Sequence, residues 1–233
     1  MKVAVLQSNY IPWKGYFDII HDVDLFVFYD DVQYTKNDWR NRNKIKTPKG
    51  TAWLTLPVGT DLHRLVEEVV LPEDPGIFKR HFALLQEHYK KAPYYKKFLP
   101  FLEHVYLETR WEKLVDVNRY LITEIAREFL GITTRFADSH DFASTGVRHE
   151  RLLTMLQSIG ATTYVSGPAA KDYILTEDYE KAGIELVWKD YSGYPTYKQQ
   201  FEPFDHAVSI LDLLLNTGDE APWYIWGWRE EAK

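Results

Sequence analysis

The sequence predicts an α/β fold: a parallel or mixed sheet that starts with a βαβ unit and carries a β-hairpin and a helical insertion. Three observations predict it. Apolar runs at Val3–Leu6 and Leu25–Tyr29 bracket a short helical stretch, and strand, loop, helix and strand within about 30 residues make a βαβ unit with parallel strands. The turn Pro48-Lys49-Gly50 separates two strand-like segments, the signal of a hairpin. Strand and helix patterns alternate at both ends of the chain but not in its middle, where apolar residues recur at helical spacing.

Each element has its own reason. Val3–Leu6 is apolar and ends at the polar Gln7, Ser8 and Asn9. Gly15–Ile20 reads as a helix and Leu25–Tyr29 as a second buried strand. Asn43–Thr47 and Thr51–Pro57 are the hairpin arms, with Trp53 on one face, and Val66–Leu71 reads as a further strand. Helices are predicted at Pro75–Tyr89, Tyr94–Leu107 and Glu112–Leu130, the last stopped by Gly131. A strand at Ile132–Ala137 and an amphipathic helix at Arg148–Ile159 follow, the helix ended by Gly160. Thr162–Val165 is a strand entering Ser166-Gly167-Pro168. A short helix at Glu177–Ala182, a strand at Ile184–Trp188 and a helix at Val208–Leu215 complete the chain. The expected organisation is one domain over residues 1–233 with a helical insertion over about 74–131.

Composition narrows the function classes. The formal charge is −6, which argues against general nucleic-acid binding and against DNA as a partner. Cysteine is absent, excluding disulfides, thiolate metal ligands and cysteine nucleophiles. The start of the chain reads as a strand rather than a signal peptide, and no apolar run approaches the ~18 residues of a membrane span. A cytoplasmic protein without membrane insertion is expected. The 16 Tyr, 12 Phe and 8 Trp supply core material, and rings suited to sugar or nucleotide pockets.

Four constellations can carry chemistry. The first is the loop Gln7-Ser8-Asn9-Tyr10-Ile11-Pro12-Trp13-Lys14-Gly15-Tyr16-Phe17 after the first strand. In a βαβ unit it faces the ligand crevice, and the helix that follows offers free N–H groups to an anion. Gly15 allows a close approach. The loop is neither a Walker A motif nor a Rossmann glycine fingerprint. The second is Asp30-Asp31-Val32-Gln33-Tyr34 and the polar run to Lys49. Lys36, Arg40, Arg42, Lys44, Lys46 and Lys49 stand there against Asp38 alone, a local excess that suits an anionic ligand. Asp30 and Asp31 point opposite ways if the backbone is extended, so one can act as a general base or Mg²⁺ ligand and the other as a structural partner. The loops after the first two strands are expected to line one pocket, with Gln7, Trp13, Asp31, Gln33 and Arg40 near it.

The third constellation runs from Tyr164 through Ser166-Gly167-Pro168 to Lys171 and Tyr173, where backbone N–H groups can hold a phosphate or an oxyanion. No His adjoins Ser166, so a serine nucleophile is not proposed. The fourth combines Tyr191–Gln199 with Asp212 and Asn216, which are helical neighbours expected to be structural. Asp138-Ser139-His140-Asp141 has metal-like residue types without a metal spacing, and no metal site is expected.

Together these motifs resemble the WbqC-like family, which is associated with bacterial O-antigen and surface-polysaccharide gene clusters. The resemblance is carried by Gln7, Tyr10-Ile11-Pro12-Trp13, Gly15-Tyr16-Phe17, Asp30-Asp31-Val32-Gln33-Tyr34, Lys36 and Trp39-Arg40-Asn41-Arg42. Ser166-Gly167, Ser209-Ile210-Leu211-Asp212, Asn216 and Gly218 complete it. Ser8 stands where many relatives have Pro. The resemblance implies transfer of an amino acid, with glycine as a candidate, to an amino sugar, and it implies no catalytic residues.

The expectation that follows is an acyl or aminoacyl transferase acting on a nucleotide-linked amino sugar. Asp30, Asp31 and Gln33 are its candidate catalytic residues. Gln7, Tyr10, Trp13, Tyr16, Tyr34, Lys36, Trp39, Arg40, Arg42, Ser166 and Lys171 are the candidate substrate-binding residues. The expected partner is a sugar nucleotide or other anionic small molecule. Aminoacyl-tRNA, a thioester or an aminoacyl adenylate are the candidate donors, and no cofactor is assigned. Two alternatives stand beside it. One is a nucleotide-dependent ligase or nucleotidyltransferase, although the His-x-Gly-His motif is absent. The other is a non-catalytic carbohydrate-binding or assembly protein.

Overall fold

A computed structural model describes residues 1–36, 38–172 and 174–231. Asn37 and Tyr173 therefore lie outside the described residues. Five strands form one parallel sheet: β1 (Lys2–Leu6), β2 (Leu25–Phe28), β5 (Arg135–Asp138), β6 (Thr163–Ser166) and β7 (Glu185–Trp188), in the order β5-β2-β1-β6-β7. Every neighbouring pair is parallel. Helix α1 (Lys14–His21) makes the first crossover and closes the predicted βαβ unit. β3 (Arg42–Thr47) and β4 (Gly50–Thr55) form the separate antiparallel hairpin.

The period-2 alternation of side chains divides the interior in two. Ala4, Phe26, Phe28 and Val165 face the larger core, which holds α1 and the hairpin residues Ile45 and Leu54. Val3, Val5, Leu25, Val27 and Tyr164 face a smaller core with α5 (His149–Ile159) and α6 (Thr176–Lys181). Because both faces are covered, the strands are apolar on both sides, as buried parallel strands must be.

Between the hairpin and β5, α2 (Gly76–Tyr89), α3 (Tyr95–Glu103) and α4 (Leu114–Glu124) join the larger core through Leu85, Phe98, Leu102 and Leu121. α3 and α4 each run on into one wider π-type turn, His104–Glu108 and Ile125–Phe129.

Val66–Leu71 departs from its expectation as a strand. It holds a 3₁₀ turn at Val66–Glu68 and a single bridge from Val70 to Lys113. Its N–H groups are taken individually instead of by a ladder: Val66 donates to Val32, Glu67 to Asp30 and Leu71 to Glu112. The segment therefore laces the loop after β2 to the start of α4.

α7 (Ile210–Thr217) is buried along its whole length. Its Asp212 carboxylate accepts from Tyr89 Oη and Tyr197 Oη at 2.7 Å each and from Gln199 Nε2 at 2.9 Å. Asn216 Nδ2 turns back to the Asp212 carbonyl at 2.7 Å. This is the structural role expected for the pair. α8 (Trp228–Glu231) closes the described chain.

Candidate functional site

Numbered by rank along the chain, the five strands stand in the order 3-2-1-4-5. The order reverses between β1 and β6, and the crevice beyond the strands' carboxyl ends at such a reversal is where open α/β sheets bind ligands. A cavity of about 750 Å³ opens there. Leu6 and Gln7 line it from β1, Tyr29, Asp31, Val32 and Gln33 from the β2 loop, and Tyr164 from β6. The opposite wall is the start of α5, with Gly146, Val147, Arg148, Arg151 and Leu152. The expected meeting of the first two loops in one pocket is thus present for Gln7, Asp31 and Gln33.

Asp31 is the carboxylate of this cavity. Its Oδ2 pairs with Arg151 Nη2, its Oδ1 accepts from Ser139 Oγ at 2.8 Å, and its carbonyl accepts from Arg151 Nη1 at 3.1 Å. Arg151 also lies over the Tyr29 ring at 5.3 Å. A carboxylate oxygen can take two hydrogen bonds, so each Asp31 oxygen keeps acceptor capacity toward the cavity. Arg148 stands at φ 52°, a conformation a side chain-bearing residue rarely adopts, and the α5 N-terminus it precedes has no side-chain cap. The guanidiniums of Arg148 and Arg151 stand on one wall, an arrangement suited to an anion.

Asp30 points the other way, as an extended backbone requires, and does not line the cavity. Fully buried, it accepts from the Ser8 N–H at 2.7 Å and from Arg119 Nε at 2.8 Å. Burial pushes its carboxyl above the usual range, with Arg119 and Ser8 pulling it back, while the same pairing raises the Arg119 guanidinium. Donors on both oxygens fit the ionised form, so the geometry favours a charged pair. Arg119 also pairs with Asp138, whose carboxyl is raised by burial but held lower on balance by the His140 N–H and Arg119. Asp30 therefore ties the β1 loop, β2 and α4 together behind the site.

The other candidates divide. Arg40 is not in the cavity wall; it stands behind Gln7, with Nη2 on Gln7 Oε1, Nη1 on Asn9 Oδ1 at 2.6 Å and an ion pair to Asp38 at 3.4 Å. Trp13 and Trp39 line a second cavity of about 320 Å³ with Asn9, Pro12, Asn43 and Ala207. Tyr16 is buried, and its hydroxyl donates to the Gln7 carbonyl at 2.9 Å. Tyr34 is buried on Asn41 Oδ1 at 3.0 Å.

Five further candidates line neither cavity. Tyr10 is fully buried, its hydroxyl meeting His81 Nδ1 at 2.9 Å and Tyr106 Oη at 3.0 Å. Arg42 covers the Trp53 ring at 4.4 Å. Ser166 is buried, and its carbonyl accepts from Lys189. Lys171 is exposed over Trp188 at 5.5 Å, and Lys36 is exposed.

Gly15 provides room for protein rather than for a ligand: a Cβ there would lie 2.3 Å from the Trp13 ring. Sequence reasoning missed Arg148, Arg151, Ser139 and Arg119. The signal for Ser139 was present, because Asp138-Ser139 ends a strand of the same sheet. Arg148 and Arg151 carry cations at a helix start, where the helix dipole disfavours them, a mild sign of a further role. Arg119 gives no such sign. Among the described residues, no group of three or more His, Asp or Glu is arranged to hold a metal ion, and no helix is long and apolar enough to cross a membrane.

The comparisons with known proteins fit this frame. A Mycobacterium tuberculosis (strain ATCC 25618 / H37Rv) protein, named "Uncharacterized protein Rv1507c", is 44% identical over 226 residues, covering 96% of this chain and 97% of that one. No solved structure matches. The model of the WbqC-like protein family matches residues 7–224, from Gln7 just after β1 to the aromatic C-terminal segment. The chain belongs to the WbqC-like protein family.

Proposed function

We propose that this protein transfers an acyl or aminoacyl group to the amine of a nucleotide-linked amino sugar, in the synthesis of a surface polysaccharide. The observation that carries the reading is the 750 Å³ cavity at the strand-order reversal, where a carboxylate, Asp31, stands beside a wall of Arg148 and Arg151. The arginines suit the substrate's phosphates. In the reaction the amine nitrogen attacks the donor carbonyl. A C–N bond forms, the bond from the carbonyl to the donor's leaving group breaks, and an amine proton is released. Asp31, aligned by Ser139 and Arg151, orients the amine and receives that proton. Gln33, exposed with its Nε2 on the Leu62 carbonyl at 3.0 Å, presents its amide oxygen to the sugar hydroxyls.

The test is a mass-spectrometric screen of purified protein with amino-sugar nucleotides and aminoacyl-tRNA, thioester or aminoacyl-adenylate donors. A product heavier by one acyl group, lost in Asp31→Asn, is the expected result. Binding of sugar nucleotide without turnover across all donors would overturn the transferase reading in favour of a binding or assembly protein. One observation favours a second enzymatic reading, a nucleotide-dependent ligase or nucleotidyltransferase. The 3-2-1-4-5 order is the doubly wound order of nucleotide-binding sheets, and ATP–pyrophosphate exchange would separate it from a simple transferase.

A further inference from the structure

The second cavity shares no lining residue with the first. Its two indoles are held in place without being used up by the core. The Trp13 ring lies against Gly15 and meets Tyr191 and Tyr194 edge-on at 5.1 and 6.1 Å. The Trp39 backbone is fixed at both ends, its N–H on Asp38 Oδ1 at 2.7 Å and its carbonyl accepting from Tyr10 N–H at 3.1 Å. Yet the Trp39 side remains 42% exposed, leaning on Trp53 at 5.6 Å. A pre-positioned indole left open beside a cavity is a stacking platform whose ordering cost has already been met by the fold.

Arg40 lines neither cavity but bonds Asn9 in the wall of this one. The same guanidinium holds Gln7 in the wall of the first cavity. One guanidinium thus joins the walls of the two cavities, and its Nε, buried behind them, has no hydrogen-bond partner.

We propose that the second cavity is the nucleobase subsite of the nucleotide-linked substrate: the base stacks on Trp39 and Trp13, the phosphates pass Arg40, and the sugar enters the first cavity beside Asp31. The proposal rests on the sugar-nucleotide reading of the first cavity and adds which end of the substrate goes where. A flat π face distinguishes this occupant from a sugar ring or an acyl chain. Base–aromatic stacking tolerates any base, so the subsite selects for a base without choosing among them.

The test compares UMP, CMP, AMP and GMP, each titrated by calorimetry, with ribose 5-phosphate, which has the phosphate and no base. Wild-type protein should bind at least one nucleotide about 10-fold or more tightly than ribose 5-phosphate. Trp39→Ala should close that gap, and Trp39→Phe should keep most of it. Thermal midpoints check folding, and should Trp39→Ala unfold, Trp39→Gln takes its place. Equal binding of all nucleotides and ribose 5-phosphate by the wild type would overturn the proposal, as would a gap that persists without the indole. A stacking gap together with no acyl transfer would remove the transferase reading and leave the subsite standing. Acyl transfer with no gap would do the reverse.

Discussion

Asn43 Nδ2 donates to the carbonyl of Ile11 at 2.9 Å and of Tyr10 at 3.3 Å, and Ile11 stands at φ 37°. A β-branched residue there is strained by about 1–3 kcal/mol, and the amide holds the loop after β1 in that shape. Asn43→Ala should therefore cost about 2–3 kcal/mol in urea denaturation, since two buried carbonyls lose a donor. Arg40→Ala should weaken binding of an amino-sugar nucleotide by about 1.5–3 kcal/mol, and, by freeing Gln7 and Asn9, should lower stability by about 1 kcal/mol. Unchanged affinity with a lowered denaturation midpoint would make Arg40 a purely structural residue. At this scale the sequence was most legible where chemistry is unusual. Gln7, Asp31 and Gln33 stood out as polar residues at strand ends and do share a cavity. Tyr10 stood in the same loop and went to the core, because a phenol with two buried partners satisfies its hydroxyl there as well as water would. Which member of Asp30-Asp31 faces the site depended on Arg119 and Arg151, each about a hundred residues away, and no local pattern contains that information.

The strands and helices expected from apolar periodicity lie within a few residues of their expected limits, whereas the helical turns after Thr217 and α8 had no expectation. The exception, Val66–Leu71, has strand-like composition but no neighbouring strand to pair with, and its N–H groups found single partners instead. Composition fits a residue for a sheet without supplying the sheet. α7 shows the opposite case, an apolar run whose one carboxylate is satisfied only by residues from α2 and the segment before α7. Tyr89→Phe should cost about 2–3 kcal/mol, because it takes one donor from Asp212 and one acceptor from the Lys46 N–H. Gly218, which ends this helix, has φ 58°, and a Cβ there would lie 2.3 Å from Tyr94. Gly218→Ala combines both penalties and should destabilise by more than about 2 kcal/mol, read as a fall in the thermal midpoint.

For the whole molecule, acid stability turns on a buried imidazole. Burial pushes His81 down to about 4, with a hydrogen bond to the Thr55 backbone opposing. The unfolded chain takes up this proton near pH 6.5 and the folded chain only near 4, so the unfolded state binds more protons between them. Stability should fall by up to about 3 kcal/mol as pH drops through that window, and His81→Phe, which leaves Tyr10 its bond to Tyr106, should flatten the slope in denaturation midpoints. The strand order was not legible: the notional βαβ start fixed β1 beside β2, but the placement of β5 and β6 on either side depends on long-range packing. The guanidinium of Arg40 has a thermodynamic consequence. Because it grips one amide from each cavity, a fragment that shifts Gln7 or Asn9 is expected to be felt in the other cavity. By reciprocity, whatever factor a nucleoside monophosphate imposes on the affinity for an amino-sugar 1-phosphate, the sugar phosphate must impose on the nucleotide.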